Sequence, residues 1–429
     1  MLVKNVTTTG NNAANKTIQV QFDMSWDNSW RDGINWDAAW VFMKYKDANG
    51  LWQHVQLNTT GFANGTGTAN TIQVGSDKVG AFVYRSGAGT GTFSSTTMQL
   101  QWNYGLSGLT NVTGLEIRVF AVEMVYVPEG DFTIAKGFYY ISNYGAFNVI
   151  FNAPGGNFPI INKRLTPTLS YAITNPYNDP GITAESANIR IKGDAGIDTN
   201  NDGVVDNTIY PTGYKAFYSY KYEMSEQQYA DFLNTLTPTQ ITTLGVAGSS
   251  ITLTNGQYFT STPNKACGNS NANRLFAYAD WSGLRPMNFL EFNKASYGPL
   301  LPTYVTSPNQ CCGASLYGYP AWNSADRPNN FPEYNLLIQD VGYSANNAST
   351  RGQAGASYFG LMDLTGNASE PVIKVNSFTF DGNNGNGILL STGNSDVSNW
   401  NTTSIIYLDQ SERQFGFGSY GFRYVRSAE

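Results

Sequence analysis

TIQVQFDMSW, residues 17–26, alternates apolar Ile18, Val20, Phe22, Met24 and Trp26 with polar Gln19, Gln21, Asp23 and Ser25. A period of two sends successive side chains to opposite faces of a strand, one toward a core and one toward water. Similar runs are AAWVFMKYK (38–46), KVGAFVYR (78–85), TTMQLQW (96–102) and LEIRVFAVEM (115–124), separated by Gly, Asn and Thr turns. Short strand-like runs between turn signals predict an antiparallel β-sandwich over residues 1–122.

The whole chain has 429 residues, which suggests more than one domain. Hydrophobic residues make up 41%, enough for ordinary cores, but charged residues only 13%, about half the usual share. Asn, Gly and Tyr fill the difference, with 46 Asn, 44 Gly and 27 Tyr. Long amphipathic helices need a charged face, so an all-α fold is excluded and a β-rich α+β class is expected. A net charge of −6 argues against a nucleic-acid partner. No run of 18 apolar residues is present, so no membrane insertion is expected. MLVKNVTTTG at the start lacks the apolar stretch of a signal peptide, so any export either removed a leader or delivered the protein as part of a particle.

His54, in LWQHVQL, is the single histidine. It reads as a partly exposed strand residue, and one imidazole cannot build a His-rich zinc site or a two-His iron triad. Cys267, Cys311 and Cys312 have no metal-site spacing and predict no disulfide framework. Trp26, Trp30, Trp36 and Trp40 crowd one segment, where bunched indoles suit either sugar stacking or a core with one rigid turn.

From residue 123 the character changes. EMVYVPEGDF (123–132) is followed by about 80 residues rich in Gly, Pro and Asn, here taken as an insertion spanning about 135–212. Then comes FYSYKYEMSEQQYADFLNTL (217–236), where Ser225 can cap a helix with Glu226 in its first turn and Tyr229, Phe232 and Leu233 at helical spacing. A second helix is expected in ADWSGLRPMNFLEFNKASYG (279–298). Asp198, Asn200, Asp202 and Asp206 follow the D-x-N-x-D-G pattern of a calcium loop, with Gly203 at the sharp turn. The twelfth position is Ile209 instead of a bidentate Glu, so a metal-free Asx-rich turn competes with that reading.

Five segments, in order, resemble the formylglycine-generating enzyme (sulfatase-modifying factor) family, a variant of the C-type-lectin fold. They are EMVYVPEGDF, FYSYKYEMSEQQYADFLN, WSGLRPMNFLEFNKAS (similar to the family's GLRLPTEAEWEKA), YFGLMDLTGNASE (similar to GLYDMSGNVWEW) and the closing YGFRYVR. The resemblance implies such a domain over 123–429, with two main helices and long loops, behind an N-terminal sandwich of the kind seen in secreted bacterial or phage surface proteins. The family's enzymes hold copper through two cysteines just before the closing strand. The corresponding TSIIYLDQSERQFGFGSYGFR contains none, and amides or hydroxyls do not replace thiolates on Cu(I). The family's iron enzymes use three histidines. The resemblance therefore implies a non-catalytic member needing neither copper nor iron.

The family also carries a structural calcium at the GLYDMSGNVWEW turn. By motif position this implies carboxylates from Asp363 and Glu370 and carbonyls from Gly366 and Ala368. Ser369 and Pro371 replace the tryptophans that flank the glutamate, which changes the packing there. Residues 376–420 hold seven Asn, seven Ser, six Gly and four Thr but only five charged residues. Such a mixture of adaptable amides and rigid aromatics is that of an antibody paratope. Asn399, Trp400, Asn401, Tyr407, Asp409 and Tyr420 are the candidate ligand-binding residues. The expected function is a surface-exposed adhesion module, on a cell, secreted or on a virion, contacting a glycan or protein receptor. The alternatives are a structural subunit that binds copies of itself in a filament or shell, and a metal-dependent oxidoreductase with an unrecognised site.

Overall fold

The computed structural model describes residues 1–130, 132–133, 160–161, 211, 213–269, 271–298, 338–345, 354, 356–364, 367–368, 370–373, 380–400, 405–408 and 421–429. The first part is all strand: β1 (Leu2–Asn12), β2 (Thr17–Arg31), β3 (Asp37–Lys46), β4 (Trp52–His54), β5 (Thr66–Gly67), β6 (Asn70–Val74), β7 (Ala81–Arg85), β8 (Gly89–Asn103) and β9 (Ile117–Val127). Short strands β10 (Phe132–Thr133) and β11 (Ile160–Ile161) pair with each other and precede β12 (Phe217–Tyr220). Helices α1 (Glu226–Leu233) and α2 (Pro238–Leu244) lead to the hairpin β13 (Ile251–Thr254) and β14 (Gln257–Thr260). Then follow α3 (Ala272–Trp281), β15 (Arg285–Pro286), α4 (Phe289–Tyr297), β16 (Glu370–Ile373), β17 (Ile405–Leu408) and β18 (Tyr424–Ser427). The protein is β-rich, with antiparallel sheets and a minority of helix.

The alternation read in residues 17–26 is realised. Ile18, Val20, Phe22, Met24 and Trp26 of β2, with Met98, Leu100 and Trp102 of β8, are buried against Ala39, Val41 and Met43 of β3 and Ala81 and Val83 of β7. These residues join a four-stranded sheet, β1-β2-β8-β5, to a larger sheet ordered β15-β18-β12-β9-β3-β7-β6, with β4 paired to β3. Strand β3 is buried on both faces. Ala38, Trp40 and Phe42 point the other way, into a second core with Tyr229 and Phe232 of α1 and Leu275, Tyr278 and Trp281 of α3. Two-sided burial is why AAWVFMKYK reads as a nearly continuous apolar run.

The boundary expected between 122 and 123 falls inside β9. That strand pairs with β3 on one side and with β12 on the other, so both parts of the chain share one sheet. Periodicity marks which face of a strand is buried but says nothing about which strands sit beside it.

Ser225 caps α1 as expected, in a reciprocal capping box with Gln228. The helix expected within 279–298 is α4, and the same stretch also holds the end of α3. Helix α3 ends at Trp281, Gly283 turns the chain at φ +71 where a Cβ would meet Val79 Cγ1 at 2.3 Å, and Arg285–Pro286 pairs with β18. Pro286 cannot continue a helix, and Asn288 restarts one with a capping box to Glu291. With α2 this makes four helices among the described residues rather than two. His54 is in a strand as read, but it is buried rather than partly exposed. Trp26 and Trp40 are core residues, and Trp30 and Trp36 are half-buried, which favours the packing account of the tryptophan cluster over sugar stacking.

Trp40 ties the shared sheet to the helical side. Its Nε1 donates to Ser282 O at 2.8 Å, and Arg426 lies 4.2 Å over its ring. Trp40→Ala is expected to cost about 3–5 kcal/mol in chemical denaturation. Because β9 belongs to both parts, the loss is expected in one cooperative transition, with far-UV and tryptophan signals moving together.

Candidate functional site

The turn after Phe359 holds three buried carboxylates around one guanidinium. Asp363 sits at φ 57, a left-handed conformation that Asp tolerates, and its Oδ2 accepts the Gly342 N–H at 2.5 Å. Glu223, just past β12, accepts the Ala368 N–H at 2.7 Å and the Asn367 amide. Glu370 opens β16 and is paired with Arg423, whose Nε lies 2.8 Å from Oε1. Arg423 spends its remaining donors on the carbonyls of Met362 at 2.8 Å, Tyr220 at 2.9 Å and Lys221 at 3.3 Å. Burial lifts the pKa of Asp363 to about 6, against the pull of the Gly342 N–H and Arg423. Burial also pushes Glu223 up, helped by the charges of Glu370 and Asp363.

These oxygens are of the hard type calcium prefers, but they do not form a closed shell. Glu370 is committed to Arg423, Ala368 turns its N–H toward an anion, and Gly366 lies outside the described residues. Among the described residues no group of three or more His, Cys, Asp or Glu side chains is placed to hold a metal ion. Of the set that the family motif implies, Asp363, Ala368 and Glu370 are described and Gly366 is not.

Beyond β16, residues 380–400 form a long irregular segment with its own buried anchors. Asp280 at the end of α3 accepts the Asn386 N–H at 3.0 Å, the Ser395 hydroxyl at 2.8 Å and the Asp396 N–H at 2.9 Å. Lys44 Nζ donates to Gly387 O at 2.5 Å and Trp281 O at 2.7 Å. Its cross-strand partner His54 lies beneath Gly387, where a Cβ would stand 2.1 Å from Nδ1. His54 Nε2 is 2.7 Å from Val79 O, and a carbonyl only accepts, so Nε2 carries the proton and Nδ1 has no hydrogen-bond partner among the described residues.

Trp400 corrects the sequence reading. It is 0% exposed and packs into the core beside Phe276, so it is an anchor of the segment and not a surface contact for a ligand. Asn399 is half-buried and donates to Asp381 Oδ2 at 2.8 Å. Strand β17 includes Tyr407, whose side chain lies outside the described set. Asn401, Asp409 and Tyr420 lie outside the described residues, as do Asp198, Asn200, Asp202 and Asp206 of the other calcium loop, and Cys311 and Cys312.

Glu223, Arg423, Lys44 and Asp280 were not singled out by sequence reasoning. Each stands in a largely apolar or aromatic stretch (FYSYKYEM, YGFRYVR, AAWVFMKYK, LFAYADW), and a charge in such a run signals a buried strut. No protein-family model matches the chain, and no curated protein matches it.

Replacing Arg423 by Gln strands a buried carboxylate and several carbonyls. The expected cost is about 3–5 kcal/mol, and adding Glu370→Gln should recover part of it in urea titrations.

His54 gives a pH test with a definite sign. Burial, and then the charge of Lys44, press its pKa well below the usual value, so the folded state resists a proton that the unfolded state takes up below about pH 6.5. Its contribution is present above that pH and lost as pH falls. Relative to His54→Gln, the wild type should lose about 1.4 kcal/mol per pH unit on acidification below 6.5, read from paired urea curves.

Proposed function

We propose that this chain is a non-enzymatic binding module, exposed on a cell, secreted or carried on a virion. Its part from β9 onward would take a C-type-lectin-like arrangement whose face, residues 376–420, contacts a glycan or protein receptor. The observation that carries the reading is the build of residues 380–400. Buried Asp381, Gly385, Gly387, Gly393, Ser395 and Trp400 alternate with exposed Asn383, Asn386, Ile388, Leu390, Ser391 and Thr392. The backbone is held at several points while amides, hydroxyls and two aliphatic side chains face outward. Pre-ordering a contact surface lowers the entropy that binding must overcome, and a mixed polar and aliphatic display suits uncharged ligands.

Receptor contact through this face is expected to be lost without loss of fold. Ile388→Ser combined with Leu390→Ser should weaken attachment to a responsive cell or glycan surface at least about tenfold, in line with the loss of roughly 1.4 kcal/mol or more from apolar contacts. Thermal midpoints should stay within a degree or two, because neither side chain belongs to a core. Unchanged attachment by a normally folded double variant would refute the reading.

A further inference from the structure

Between the two sheets an aspartate, a glutamate and a lysine meet. Asp37 begins β3, Glu123 lies in β9, and Lys221 directly follows β12. Ala39 faces Glu123 across the β3–β9 pair, and Lys221 N–H donates to Glu123 O at 3.0 Å on the other side. Alternation puts all three side chains on one face: Asp37 with Ala39 and Val41, Glu123 with Ala121 and Val125, and Lys221 with Ser219 and Phe217. Asp37 is 0% exposed and Lys221 4%. Lys221 Nζ lies 2.5 Å from Glu123 Oε1 and 3.8 Å from Asp37 Oδ2. The Trp30 ring is 4.9 Å from the same nitrogen and Tyr222 is 5.3 Å from it.

The Asp37 carboxyl is held on three sides. Trp26 Nε1 donates to Oδ2 at 2.8 Å, and the Ser29 hydroxyl and Trp30 N–H donate to Oδ1 at 2.9 and 3.0 Å. Donors fixed around a carboxyl carbon do two things: they polarise it, and they receive the charge that builds on oxygen when a nucleophile adds. A nucleophile stands next to it, and a base stands next to the nucleophile.

We infer that Lys221 and Asp37 condense within the folded chain, forming an amide bond between Lys221 Nζ and Asp37 Cγ with Glu123 as the proton carrier. Glu123 takes one proton from the Lys221 ammonium, the free amine adds to Asp37 Cγ, and the nitrogen then gives up a second proton. Both protons pass to one carboxyl oxygen, the first of them through Glu123, the C–O bond to that oxygen breaks, and water leaves. An ammonium and a carboxylate thus become one amide and one water, with no oxidant, metal or other reactant.

Two properties of the site bear on the step. Burial raises the pKa of Asp37 to about 6, against the charge of Lys221, so its oxygen accepts a transferred proton readily near neutrality. Burial also pulls Lys221 down, but the charges of Glu123, Tyr222 and Asp37 outweigh it and hold the ammonium form. The amine is therefore released only by transfer to the carboxylate in contact with it, which makes Glu123 indispensable. The product would bolt β3 to β12 across β9, closing the chain from residue 37 to residue 221, the join between its two parts.

The test is the intact mass of the purified full-length chain under denaturing conditions, followed by peptide mapping. The expected result is a chain lighter by one water, with a branched peptide linking Asp37 to Lys221. Lys221→Arg and Glu123→Gln should both restore the full mass while circular dichroism stays that of the folded protein. A wild-type chain at full mass after prolonged incubation at neutral and mildly acidic pH, with Asp37 and Lys221 in separate peptides, would overturn the inference and leave a plain buried ion cluster. A lost water that maps to a succinimide elsewhere would overturn it equally, and a cross-link persisting in Glu123→Gln would remove Glu123 from the step.

Discussion

Strand β9 has to satisfy two halves of the molecule at once. Val122 and Met124 look toward the helices, Ala121 packs toward the four-stranded sheet, and both edges of the strand are hydrogen-bonded, to β3 and to β12. Toward its C-terminal half the strand has partners on both edges and both faces, which leaves polar side chains little access to water. Where Glu123 and its neighbours Asp37 and Lys221 are nevertheless charged, they must neutralise one another inside. The same economy recurs where Arg285 meets Glu291 and Arg423 meets Glu370. In a chain with so few charges, many are struts of the interior rather than a solubilising coat. Such pairs add little net stability compared with apolar replacements, but each is costly to break and tolerates few alternative arrangements.

Local rules were legible to the extent that they are local. The alternation of residues 17–26, the two-sided burial of β3 and the cap at Ser225 all follow from side-chain direction and from unsatisfied N–H groups at a helix start. What sequence periodicity does not carry is anything that depends on partners distant in sequence. Composition changes at residue 122, while β9 runs through that point with hydrogen-bond partners on both edges. ADWSGLRPMNFLEFNKASYG signals a helix but not where in the stretch it starts. The break at Gly283 is dictated by the close approach of Val79, and no residue near Gly283 in sequence announces that.

The candidate site was legible by composition and misread residue by residue. The Asn, Ser and Gly content correctly marked residues 380–400 as irregular, but composition cannot tell a displayed aromatic from an anchoring one. Tryptophan is prominent in contact surfaces, which makes Trp400 a candidate for the former. Burying an indole is also the most effective way to hold down a segment lacking a hydrogen-bond ladder. Asp363 and Glu370, which the family motif offers as calcium ligands, are buried at the turn. Glu370 pairs with Arg423, whose planar guanidinium holds that carboxylate and backbone carbonyls together, while Asp363 takes the Gly342 N–H.

The glycines of residues 380–400 show how anchoring and display are kept apart. A Cβ at Gly385 would meet the Asp280 backbone at 2.4 Å, one at Gly387 the His54 ring at 2.1 Å, and one at Gly393 the Gln240 backbone at 2.9 Å. At these three seats the segment touches the scaffold with backbone alone. Side chains between them, such as Asn386, Ile388 and Ser391, point away and contribute nothing to the core. Stability then depends on the seats, and recognition, on the proposed reading, depends on the residues between them. A surface divided this way can change its outward side chains at almost no cost to folding, since substitutions away from packed features seldom move stability by more than about 0.5 kcal/mol. The constraint falls instead on His54, Lys44 and Asp280, which must keep their shape whatever the face displays.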